Sequence, residues 1–538
     1  MNEINKNMNY DDILSPEIES GNVEYKRILH MNFNKIKKLK SQMLWRLDEG
    51  KKLCGNEEAI YYIGIEDDGM ISGISIDEIN SSLDVLKEIT KMCKAEIDSI
   101  NIINKDEKLY CKAIVKKFNL VKINEELRVI FLGNSGTGKT TFLGVLVNDI
   151  LDNGKGSARS NVFRFNNEIK FGYTTSIKYE IIGFNDNELI NYNSIFVSDW
   201  EDIITKSKKI ITLIDLPGNL KFLKTILFGI TSNKPNYIVL FINPTNMKNC
   251  IFYLELCKKI NIPLIIVITK FDLIEHQDIN IYKKITEIYK NKNIVHIDNP
   301  ELISNFDFDN NIPICSISNV TGKNIDLLKK ILGKLPIVNY FNKQSEDNIE
   351  FLTTDKVFIP EIGTILIGIL LNGTLKLDDY LYMGPININS GDKTKSPFYK
   401  VKIVSIHKKK IPTNILNMGE SGSLIIKYDE PNFKLNKHLM LLNDKLLKNF
   451  VNKFVIKIQK KDIQKNILLK IDHPFMINIG NIYSQINIYQ IEDNEKFILI
   501  FVNFKNNEVY YVKDNDLILI RFNNNIINGI SYHLINFI

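Results

Sequence analysis

The sequence predicts a four-part architecture: a central α/β domain with a largely parallel sheet, a small α/β module before it, and two β-barrels after it. Three observations predict this. Apolar strand-like runs alternate with amphipathic helical segments between residues 126 and 338. Short strands separated by turns dominate after residue 345. The length of 538 residues is too great for one hydrophobic core and suits several domains.

The N-terminal part divides into a tail and a compact module. Residues 1–20 are polar and acidic, so we expect a flexible tail without the apolar core of a signal peptide. In the module, 21–122, the stretches NVEYKRIL and AIYYIGIEDDG predict strands, and Asp68-Gly69 predicts a turn into MISGISI. Apolar residues at helical spacing in FNKIKKLKSQMLWRLDEGKK and IDEINSSLDVLKEITKMCKAE predict two helices.

The strands of the central domain, 126–338, are near-continuous apolar runs. Such runs indicate burial on both faces and therefore a parallel sheet with helical crossovers. They are LRVIFLG, KIITLIDL, NYIVLFIN, PLIIVIT and IPICSIS. Further on, turns such as NGT (372–374) and SGDKTKS (390–396) separate short strands, which is typical of barrels or sandwiches. The remaining length fits two barrels, which we place at 345–435 and 436–538.

The composition is that of an ordinary soluble protein, with 44% hydrophobic and 25% charged residues. Because the net charge of +6 is mild, we expect any acidic partner to meet local patches. Six cysteines without a C-x-x-C pair indicate neither a zinc site nor a disulfide framework, which favours a reducing compartment. No apolar run approaches the roughly 18 residues that span a bilayer, so we expect a cytoplasmic protein without membrane contact.

The segment GNSGTGKT, residues 133–140, fits the pattern G-x-x-x-x-G-K-[ST] between a strand and a helix. In this pattern backbone N–H groups face phosphate oxygens, Lys139 reaches the β- and γ-phosphates, and the Thr140 hydroxyl binds Mg²⁺. The alternative is a Gly-rich turn that binds nothing, and the flanking strand and helix argue against it. The residues predicted to bind a nucleoside triphosphate here are Gly133, Asn134, Ser135, Gly136, Thr137, Gly138, Lys139, Thr140 and Thr141.

A second motif, TLIDLPGN (212–219), ends a strong strand with Asp215. A carboxylate in this place lies close to Mg²⁺ through a water, and Gly218 can offer its N–H to the γ-phosphate. The alternative is an Asp that starts an ordinary turn. Asn219 follows where a residue would aim a water at the γ-phosphate. The stretch therefore raises the question whether the chain splits its nucleotide or mainly holds it.

The base is predicted to be guanine. In VITKFD, a strand ends with Thr269, Lys270 and Asp272, and a carboxylate there accepts from guanine N1–H and the 2-amino group, which adenine lacks. The usual form begins with Asn instead of Thr, and a solvated turn is the alternative. Backbone N–H groups around Ser318 and Asn319 in SISNVTG would face guanine O6. The loop GTGKTT of this chain also fits an AAA-type ATPase. Such an ATPase, however, would carry Asp-Glu after its second strand, where this chain has Asp-Leu-Pro-Gly.

With these motifs in place, the chain resembles the GTP-binding protein one/two family of elongation-factor-Tu-like translational GTPases. LDNGKGSARSNVFRFNNEIKFGYTTSI (151–177) is similar to the family's switch region, with its LDNGRG-AR, LFRH-HEI and GRTSS pieces. FLKTILFG, SNVTGKNIDLLK, FIPEIGTILIGILLNGTLKLDDYLYMGP, VKIVSIHKKKIP and HPFMINIGNIY are similar to later segments. The resemblance covers residues 22–538; it is most specific in 150–180 and weakest after 485.

The resemblance assigns roles and also exposes departures. It implies that Thr174 meets Mg²⁺ and the γ-phosphate, so the metal set is Thr140, Thr174 and Asp215. It implies a water-orienting His where this chain has Asn219, and Val-Asp where the P-loop has Ser135 and Gly136. A positioned group of this kind is worth about 10²- to 10⁴-fold in rate. With Lys139, Thr174 and Asn219 as the catalytic set, we therefore expect tight GTP binding with slow hydrolysis.

The resemblance also implies partners: the ribosome and aminoacyl-tRNA for a monomeric factor, with mRNA-decay machinery as a further candidate. Basic runs at 35–40, 407–410 and 460–461 are candidates for RNA phosphate contacts, with solvated faces as the alternative. His276 and His473 are most simply surface and turn residues. The rivals are a hydrolysis-deficient GTP-dependent binding module, a metabolic enzyme such as a sulfate-activating subunit, and an ATPase. The LDNGKG…FGYTTS segment argues against the metabolic enzyme.

Overall fold

A computed structural model of the chain forms two compact units, Met1–Lys122 and Ile123–Ile538. Among the described residues, no helix is both long and apolar enough to cross a membrane. The described residues are 14–18, 20–30, 33–54, 57–93, 95–105, 108–117, 125–186, 188–194, 197–245, 247, 249–273, 279–290, 292–304, 306–337, 348–386, 398–428, 438–462, 471, 474–522 and 525–535.

The first unit is a four-stranded sheet with two helices. Its elements are β1 (Val23–Lys26), α1 (Phe33–Cys54), β2 (Glu58–Ile63), α2 (Ile76–Met92), β3 (Ala95–Lys105) and β4 (Lys108–Lys117). The strand order is β1-β2-β4-β3, with β1 and β2 parallel and the other pairs antiparallel. Helix α2 buries Ile79, Leu83 and Leu86 at three-to-four spacing, as its pattern predicts. The turn at Gly69 is present, but one antiparallel bridge follows it instead of a strand.

Part of the predicted tail, 1–20, packs against this unit. Arg46 is 3% exposed, and its Nε lies 2.7 Å from Glu24 Oε2. The Arg46 guanidinium also contacts the Glu17 carboxylate, which accepts from the Tyr25 N–H at 3.0 Å. A carboxylate that pairs with a buried guanidinium is held firmly, because separating them would leave an uncompensated charge. The compact part of the first unit therefore includes Glu17.

The second unit begins with an eight-stranded α/β domain. Its elements are β5 (Glu125–Leu132), α3 (Lys139–Asn148), α4 (Ser157–Ser160), α5 (Asn166–Phe171), β6 (Lys178–Asn185), β7 (Glu188–Ile190), α6 (Trp200–Lys206), β8 (Lys209–Asp215), α7 (Leu223–Asn233), β9 (Tyr237–Ile242), α8 (Cys250–Ile260), β10 (Leu264–Ile268), α9 (Ile279–Ile288), β11 (Asn293–His296), β12 (Asn311–Ser316) and α10 (Ile325–Lys334). The strand order is β11-β12-β10-β9-β5-β8-β6-β7. All five strands predicted from apolar runs are present. At one edge of the sheet, β6 runs antiparallel to both of its neighbours, β8 and β7.

Both faces of this sheet are buried, because alternate residues of each strand enter different cores. In β5, Val129 and Phe131 pack in one core, whereas Ile130 and Leu132 pack in the other. The chain leaves β5, β8, β10 and β12 at their carboxyl ends, which lie at one edge of a parallel sheet. Loops at that edge are where such folds place their ligands.

The first barrel follows the α/β domain. Its strands are β13 (Glu350–Ile359), β14 (Gly363–Asn372), β15 (Thr374–Lys376), β16 (Tyr380–Gly384), β17 (Tyr399–Lys408), β18 (Ile411–Thr413), β19 (Ile415–Asn417), β20 (Ser421–Lys427) and β21 (Met440–Leu442). Six of them close in the order β16-β21-β13-β14-β20-β17, with β16 pairing β17. Because β21 pairs with β13 and β16, this barrel extends beyond the predicted junction near 436. A three-residue strand is too short to show a period in the sequence.

The second barrel completes the chain. Its strands are β22 (Phe450–Val451), β23 (Lys453–Gln459), β24 (Pro474–Ile479), β25 (Ile482–Asp493), β26 (Phe497–Phe504), β27 (Tyr510–Tyr511), β28 (Leu517–Phe522) and β29 (Asn525–Ile535). Six strands close in the order β23-β26-β25-β24-β28-β29. In β23, Phe454, Ile456 and Ile458 point into the barrel core at the strand period of two. The predicted fold class, an α/β domain followed by two barrels and preceded by an α/β module, is confirmed.

The α/β domain and the first barrel meet through a buried ion pair. Lys409 Nζ lies 2.7 Å from Glu126 Oε1, and these side chains are 7% and 4% exposed. The same ammonium donates to Thr212 Oγ1 at 2.8 Å and to Ser421 Oγ at 2.6 Å. Burial alone would raise the pKa of Glu126, but the charges of Lys409 and Arg128 outweigh it and lower the pKa to about 2. The pair therefore stays ionised and fixes the barrel to the domain.

Candidate functional site

The loop between β5 and α3 forms a cradle at the carboxyl edge of the sheet. Only glycine fits at Gly133, because a Cβ there would lie 2.2 Å from the Phe241 carbonyl oxygen. Gly138 takes a left-handed conformation (φ 81°) immediately before the helix starts at Lys139. The Lys139 ammonium folds back over the loop, 2.9 Å from Gly133 O and 3.2 Å from Asn134 O. A glycine-shaped loop with a buried cation at a helix N-terminus is suited to binding phosphate.

Three oxygen atoms from separate elements converge beside this cradle. Thr140 Oγ1 lies 2.6 Å from both Thr174 Oγ1 and Asp215 Oδ2, and Thr174 Oγ1 lies 3.4 Å from Asp215 Oδ2. Asp215 is completely buried, and within the described residues its Oδ1 has no hydrogen-bond partner. Burial raises the pKa of Asp215, and the Lys139 ammonium opposes that shift. Burial in turn lowers the pKa of Lys139 to about 8.

This set fits a magnesium ion that is bound together with a nucleotide. Mg²⁺ prefers oxygen ligands and usually takes one or two carboxylates, with substrate phosphates and waters completing its coordination. The buried carboxylate of Asp215 and the hydroxyls of Thr140 and Thr174 supply such oxygens. The unpartnered Oδ1 of Asp215 is a buried acceptor that a bound ion or its water would satisfy.

The turn after β8 lies against the cradle. A Cβ on Gly218 would lie 2.6 Å from Lys139 Nζ and 2.7 Å from Ser135 N, so only glycine allows this approach. The carbonyl oxygen of Gly218 accepts a hydrogen bond of 2.9 Å from the buried hydroxyl of Tyr253 on α8. Tyr253 therefore fixes the orientation of the turn that would offer an N–H to a γ-phosphate. The sequence pattern did not single out Tyr253, which lies 35 residues farther along the chain.

We expect Tyr253→Phe to weaken GTP binding severalfold while leaving GDP binding unchanged, because the turn that Tyr253 holds would contact the γ-phosphate, which GDP lacks. One net hydrogen bond is worth about 0.5–1.5 kcal/mol, which corresponds to roughly two- to tenfold in affinity. The measurement is titration with fluorescent GTP and GDP analogues. Tyr289→Phe is the matched control, since its buried hydroxyl also donates 2.9 Å to a backbone oxygen, that of Leu254. Equal losses for both nucleotides in Tyr253→Phe would contradict this role.

The loops after β10 and β12 hold the cradle from the other side. Thr269 Oγ1 donates to Thr137 O at 2.8 Å, and Asn319 Nδ2 donates to Gly138 O at 3.2 Å. Thr269, which stands where Asn is usual, thus still ties the base-side loop to the P-loop. Asp272 is the middle residue of a short 3-10 helix, Phe271–Leu273, and is exposed, with no partner among the described residues. Its carboxylate is free to accept from a ligand.

The loop after β12 offers one backbone donor rather than two. The Ser318 N–H donates to Lys323 O at 3.1 Å, and the Ser318 hydroxyl accepts from the Thr321 N–H at 3.1 Å. Ser318 therefore shapes the loop, and the Asn319 N–H remains as the donor that could face a base. In the loop after β10, Lys270 takes a left-handed conformation (φ 56°).

Comparison with known proteins decides the family. Residues 124–337 match the family model of the elongation factor Tu GTP binding domain. GTP-binding protein 2 of Homo sapiens is 32% identical over 438 residues, which cover 77% of this chain and 70% of the human protein. The chain belongs to the GTP-binding protein 1/2 family of elongation-factor-Tu-like GTPases. GTP-binding protein 1 of Xenopus laevis is 32% identical over 435 residues, covering 77% of this chain and 61% of that protein.

Solved structures share the fold with this member of the family. The GTPase-like domain of Ski7 from S. cerevisiae, bound to GTP, superposes with a TM-score of 0.55 at 14% identity and covers 77% of this chain and 98% of that chain. Elongation factor SelB from Methanococcus maripaludis, in complex with the GTP analogue GppNHp, superposes with a TM-score of 0.53 at 18% identity over 77% and 80%. At these identities the similarity concerns the fold alone.

Asn219 is engaged within its own segment. Its side-chain Oδ1 accepts the Lys221 N–H at 3.0 Å and so caps the 3-10 helix Leu220–Phe222. The side-chain oxygen of Asn219 is therefore engaged as a cap, at the position where the resemblance implies a water-orienting His. Of the other departures, Ser135 is half-buried in the P-loop, and Gly136 is exposed, where a Cβ would meet no atom within 4 Å.

Lysine side chains in two of the three basic runs make contacts within the chain. Lys408 pairs with Glu420, Lys409 is buried against Glu126, and Lys410 Nζ lies 5.0 Å from the centre of the Trp200 ring. Lys409 is thus a domain contact rather than an RNA contact, because its charge is already neutralised. In the run 460–461, Lys460 pairs with Asp493. His276, His473, the turn 390–396 and the side chains of 35–37 lie outside the described residues.

Proposed function

We propose that this chain is a cytoplasmic, monomeric GTP-binding factor of the translational type, which binds GTP with Mg²⁺ tightly, hydrolyses GTP slowly and acts at the ribosome with aminoacyl-tRNA. The observation that carries this proposal is a contrast within one site. The groups for phosphate and metal converge around Lys139, Thr140, Thr174 and Asp215, whereas Asn219 is turned into a helix cap.

The residues of the cradle would each contact a different part of the nucleotide. Lys139 and the loop N–H groups would hold the β- and γ-phosphates, and Gly218 would donate its N–H to the γ-phosphate. Thr140 and Thr174 would bind Mg²⁺ directly and Asp215 through water, and the ion would neutralise charge on the phosphate oxygens. On the base side, Asp272 would accept from guanine while Lys270 flanks the ring and Asn319 faces O6.

Slow hydrolysis follows from the absence of the water-orienting His that the resemblance implies where this chain has Asn219. A water-orienting group contributes about 10²- to 10⁴-fold to such reactions. Asn219 has a shorter side chain than His and cannot become cationic. Its side-chain oxygen already accepts a hydrogen bond from the Lys221 N–H. Binding should be unaffected, because the phosphate and base contacts do not involve Asn219.

The ribosomal role is supported by relatives that carry translational names. The selenocysteine-specific elongation factor of Methanocaldococcus jannaschii is 26% identical over 298 residues, covering 54% of this chain. On this proposal GTP orders the switch segment, residues 151–177, against the barrels, and loss of the γ-phosphate releases it. The expected partners are ribosomal RNA and aminoacyl-tRNA, with mRNA-decay machinery as a further candidate.

A second candidate function is a GTP-dependent binding module in RNA surveillance or ribosome association that does not hydrolyse GTP. The cap made by Asn219 favours this alternative, because no other described residue of the turn offers a water-orienting side chain. Single-turnover release of the γ-phosphate separates the two candidates. A slow GTPase releases phosphate from the bound GTP, whereas a binding module keeps the nucleotide intact.

The proposal is tested by nucleotide affinity and turnover on the purified chain, with ribosomes and aminoacyl-tRNA added back. We expect GTP to bind at least about 10³-fold more tightly than ATP, because adenine would leave Asp272 unpaired. We expect turnover to be slow alone and faster with ribosomes, as for GTPases that receive a group in trans. Equal competition by ATP would refute the guanine assignment, and unchanged turnover with ribosomes would refute the translational one.

A further inference from the structure

The switch segment, residues 151–177, contains a carboxylate with no role in the nucleotide site described above. Glu168 on the short helix α5 is completely buried. Its Oε1 accepts from the Thr175 N–H at 2.8 Å and from the Ser176 hydroxyl at 3.2 Å. Longer contacts to Oε1 come from the Thr175 hydroxyl at 3.3 Å and the Ser176 N–H at 3.4 Å. One carboxylate oxygen therefore accepts hydrogen bonds from both residues that directly follow Thr174.

The other oxygen of this carboxylate makes an ion pair. Lys178 Nζ lies 2.8 Å from Glu168 Oε2, and the Lys178 side chain is 1% exposed. The ammonium also donates to Val162 O at 3.1 Å and lies 4.2 Å from the centre of the Phe163 ring. Burial alone would raise the pKa of Glu168, but hydrogen bonds from Lys178 and the Thr175 N–H outweigh it and lower the pKa. The pair is therefore ionised and ties the segment to strand β6.

These contacts enclose Thr174 on both sides. Before it, helix α5 ends with the Gly172 N–H donating 2.7 Å to the Glu168 backbone oxygen. After it, Thr175 and Ser176 are held by the Glu168 side chain. Lys178 is in register with Asp215 on the neighbouring strand. The Glu168–Lys178 pair, the anchor, is therefore joined directly to the strand that carries the metal-site carboxylate. The position of Thr174 near Thr140 is thus determined by groups of the chain itself.

We propose that Glu168, paired with Lys178, is a positioning residue that holds Thr174 at the metal site before the γ-phosphate arrives. This inference rests on the proposed binding of GTP and Mg²⁺ at the P-loop. A loop that is already ordered loses less conformational entropy when the nucleotide binds. The anchor therefore raises the affinity for GTP. GDP gains nothing, because it has no γ-phosphate for Thr174 to meet. In the nucleotide-free chain the anchor holds the stretch from Glu168 to Lys178, whereas docking of the switch segment against the barrels still requires the γ-phosphate.

The test uses two double variants that remove the buried charges together, since exchange of a buried ion pair for apolar residues of similar size is often tolerated. Glu168→Leu/Lys178→Met removes the acceptor for Thr175 and Ser176. Glu168→Gln/Lys178→Met keeps a side-chain oxygen at the same position and is the matched control. Melting temperatures show that both variants are folded.

We expect the Leu/Met variant to bind GTP about tenfold more weakly in the presence of Mg²⁺, with GDP affinity within about twofold of wild type. The Gln/Met control should retain the GTP affinity within about threefold, because its amide oxygen still accepts from the loop. If the GTP and GDP affinities fall together, or if the Gln/Met control loses as much as the Leu/Met variant, Glu168 is not a positioning residue for Thr174.

Trypsin digestion without nucleotide separates this inference from the proposed function. Lys155, Arg164 and Lys170 are exposed cleavage sites in the switch segment. We expect the Leu/Met variant to be cut there about tenfold faster than wild type or the Gln/Met control, because local opening governs cleavage. Equal cleavage rates would overturn the anchor even if GTP binds tightly. Slower cleavage of wild type would support it even if GTP binding proved weak.

Discussion

Replacing Asp272 by Asn is expected to transfer the preference of the chain from guanine to xanthine nucleotides. Asp272 is exposed, has no partner among the described residues, and lies in the loop that Thr269 ties to the P-loop. A carboxylate presents acceptors to guanine N1–H and the 2-amino group. An Asn side chain presents one acceptor and one donor, which match the N1–H and the C2 oxygen of xanthine.

The expected size of this change is large. Sites built to hydrogen-bond a ligand reject an analogue lacking the matching group by about 10⁴- to 10⁵-fold, because buried polar groups are left unpaired. Since Asp272 is exposed, we expect a smaller loss, about 10³-fold in GTP affinity, with xanthosine triphosphate gaining a similar factor. The measurement is displacement of a labelled nucleotide by GTP, xanthosine triphosphate and ATP.

The control for this variant removes the same charge elsewhere. Asp84→Asn lies on α2 of the first unit, and the Asp84 side chain is 74% exposed. It should leave both affinities unchanged. If Asp272→Asn still prefers GTP by the wild-type factor, the carboxylate does not contact the base, and the guanine assignment would have to rest on the family alone.

The nucleotide cradle could be predicted from the sequence because its parts are nearly contiguous. Gly133, Gly138 and Lys139 lie within seven residues, and each is required by a local backbone or charge constraint. The five apolar strands could be predicted for a similar reason, since burial on both faces leaves a continuous signal in the chain. The family could be predicted from the switch segment, where the resemblance is most specific.

Features that depend on distant partners could not be predicted. Tyr253 reaches a backbone oxygen 35 residues away, and Lys409 reaches a carboxylate 283 residues away. In the sequence these side chains are an ordinary helical tyrosine and one lysine of a basic run. The sequence does not predict strand β6, because its residues alternate neither in polarity nor in burial. Contacts between residues far apart in the chain determine these features. The pattern of residues in a single sequence does not show which distant residues meet.

Replacing Asn219 by His is expected to raise multiple-turnover GTP hydrolysis about 10²-fold, the low end of the range for a positioned group. Asn219 now caps the helix Leu220–Phe222 through its side-chain oxygen. A protonated His side chain has no acceptor for this cap, so we expect its imidazole to turn toward the cradle. Its longer reach and its capacity to carry a proton let it orient a water and stabilise charge on the γ-phosphate.

The design must separate the gain of imidazole from the loss of the cap. Asn219→Ala removes the cap without adding a water-orienting group, so its rate should stay at the wild-type level. Rates are measured at saturating GTP with and without ribosomes, and GTP affinity should remain within about threefold, since Asn219 makes no predicted binding contact. If wild type already turns over as fast as Asn219→His, Asn219 does not limit hydrolysis. If Asn219→Ala gains as much as Asn219→His, the cap itself restrains the turn, and hydrolysis is limited by the mobility of the Gly218 peptide.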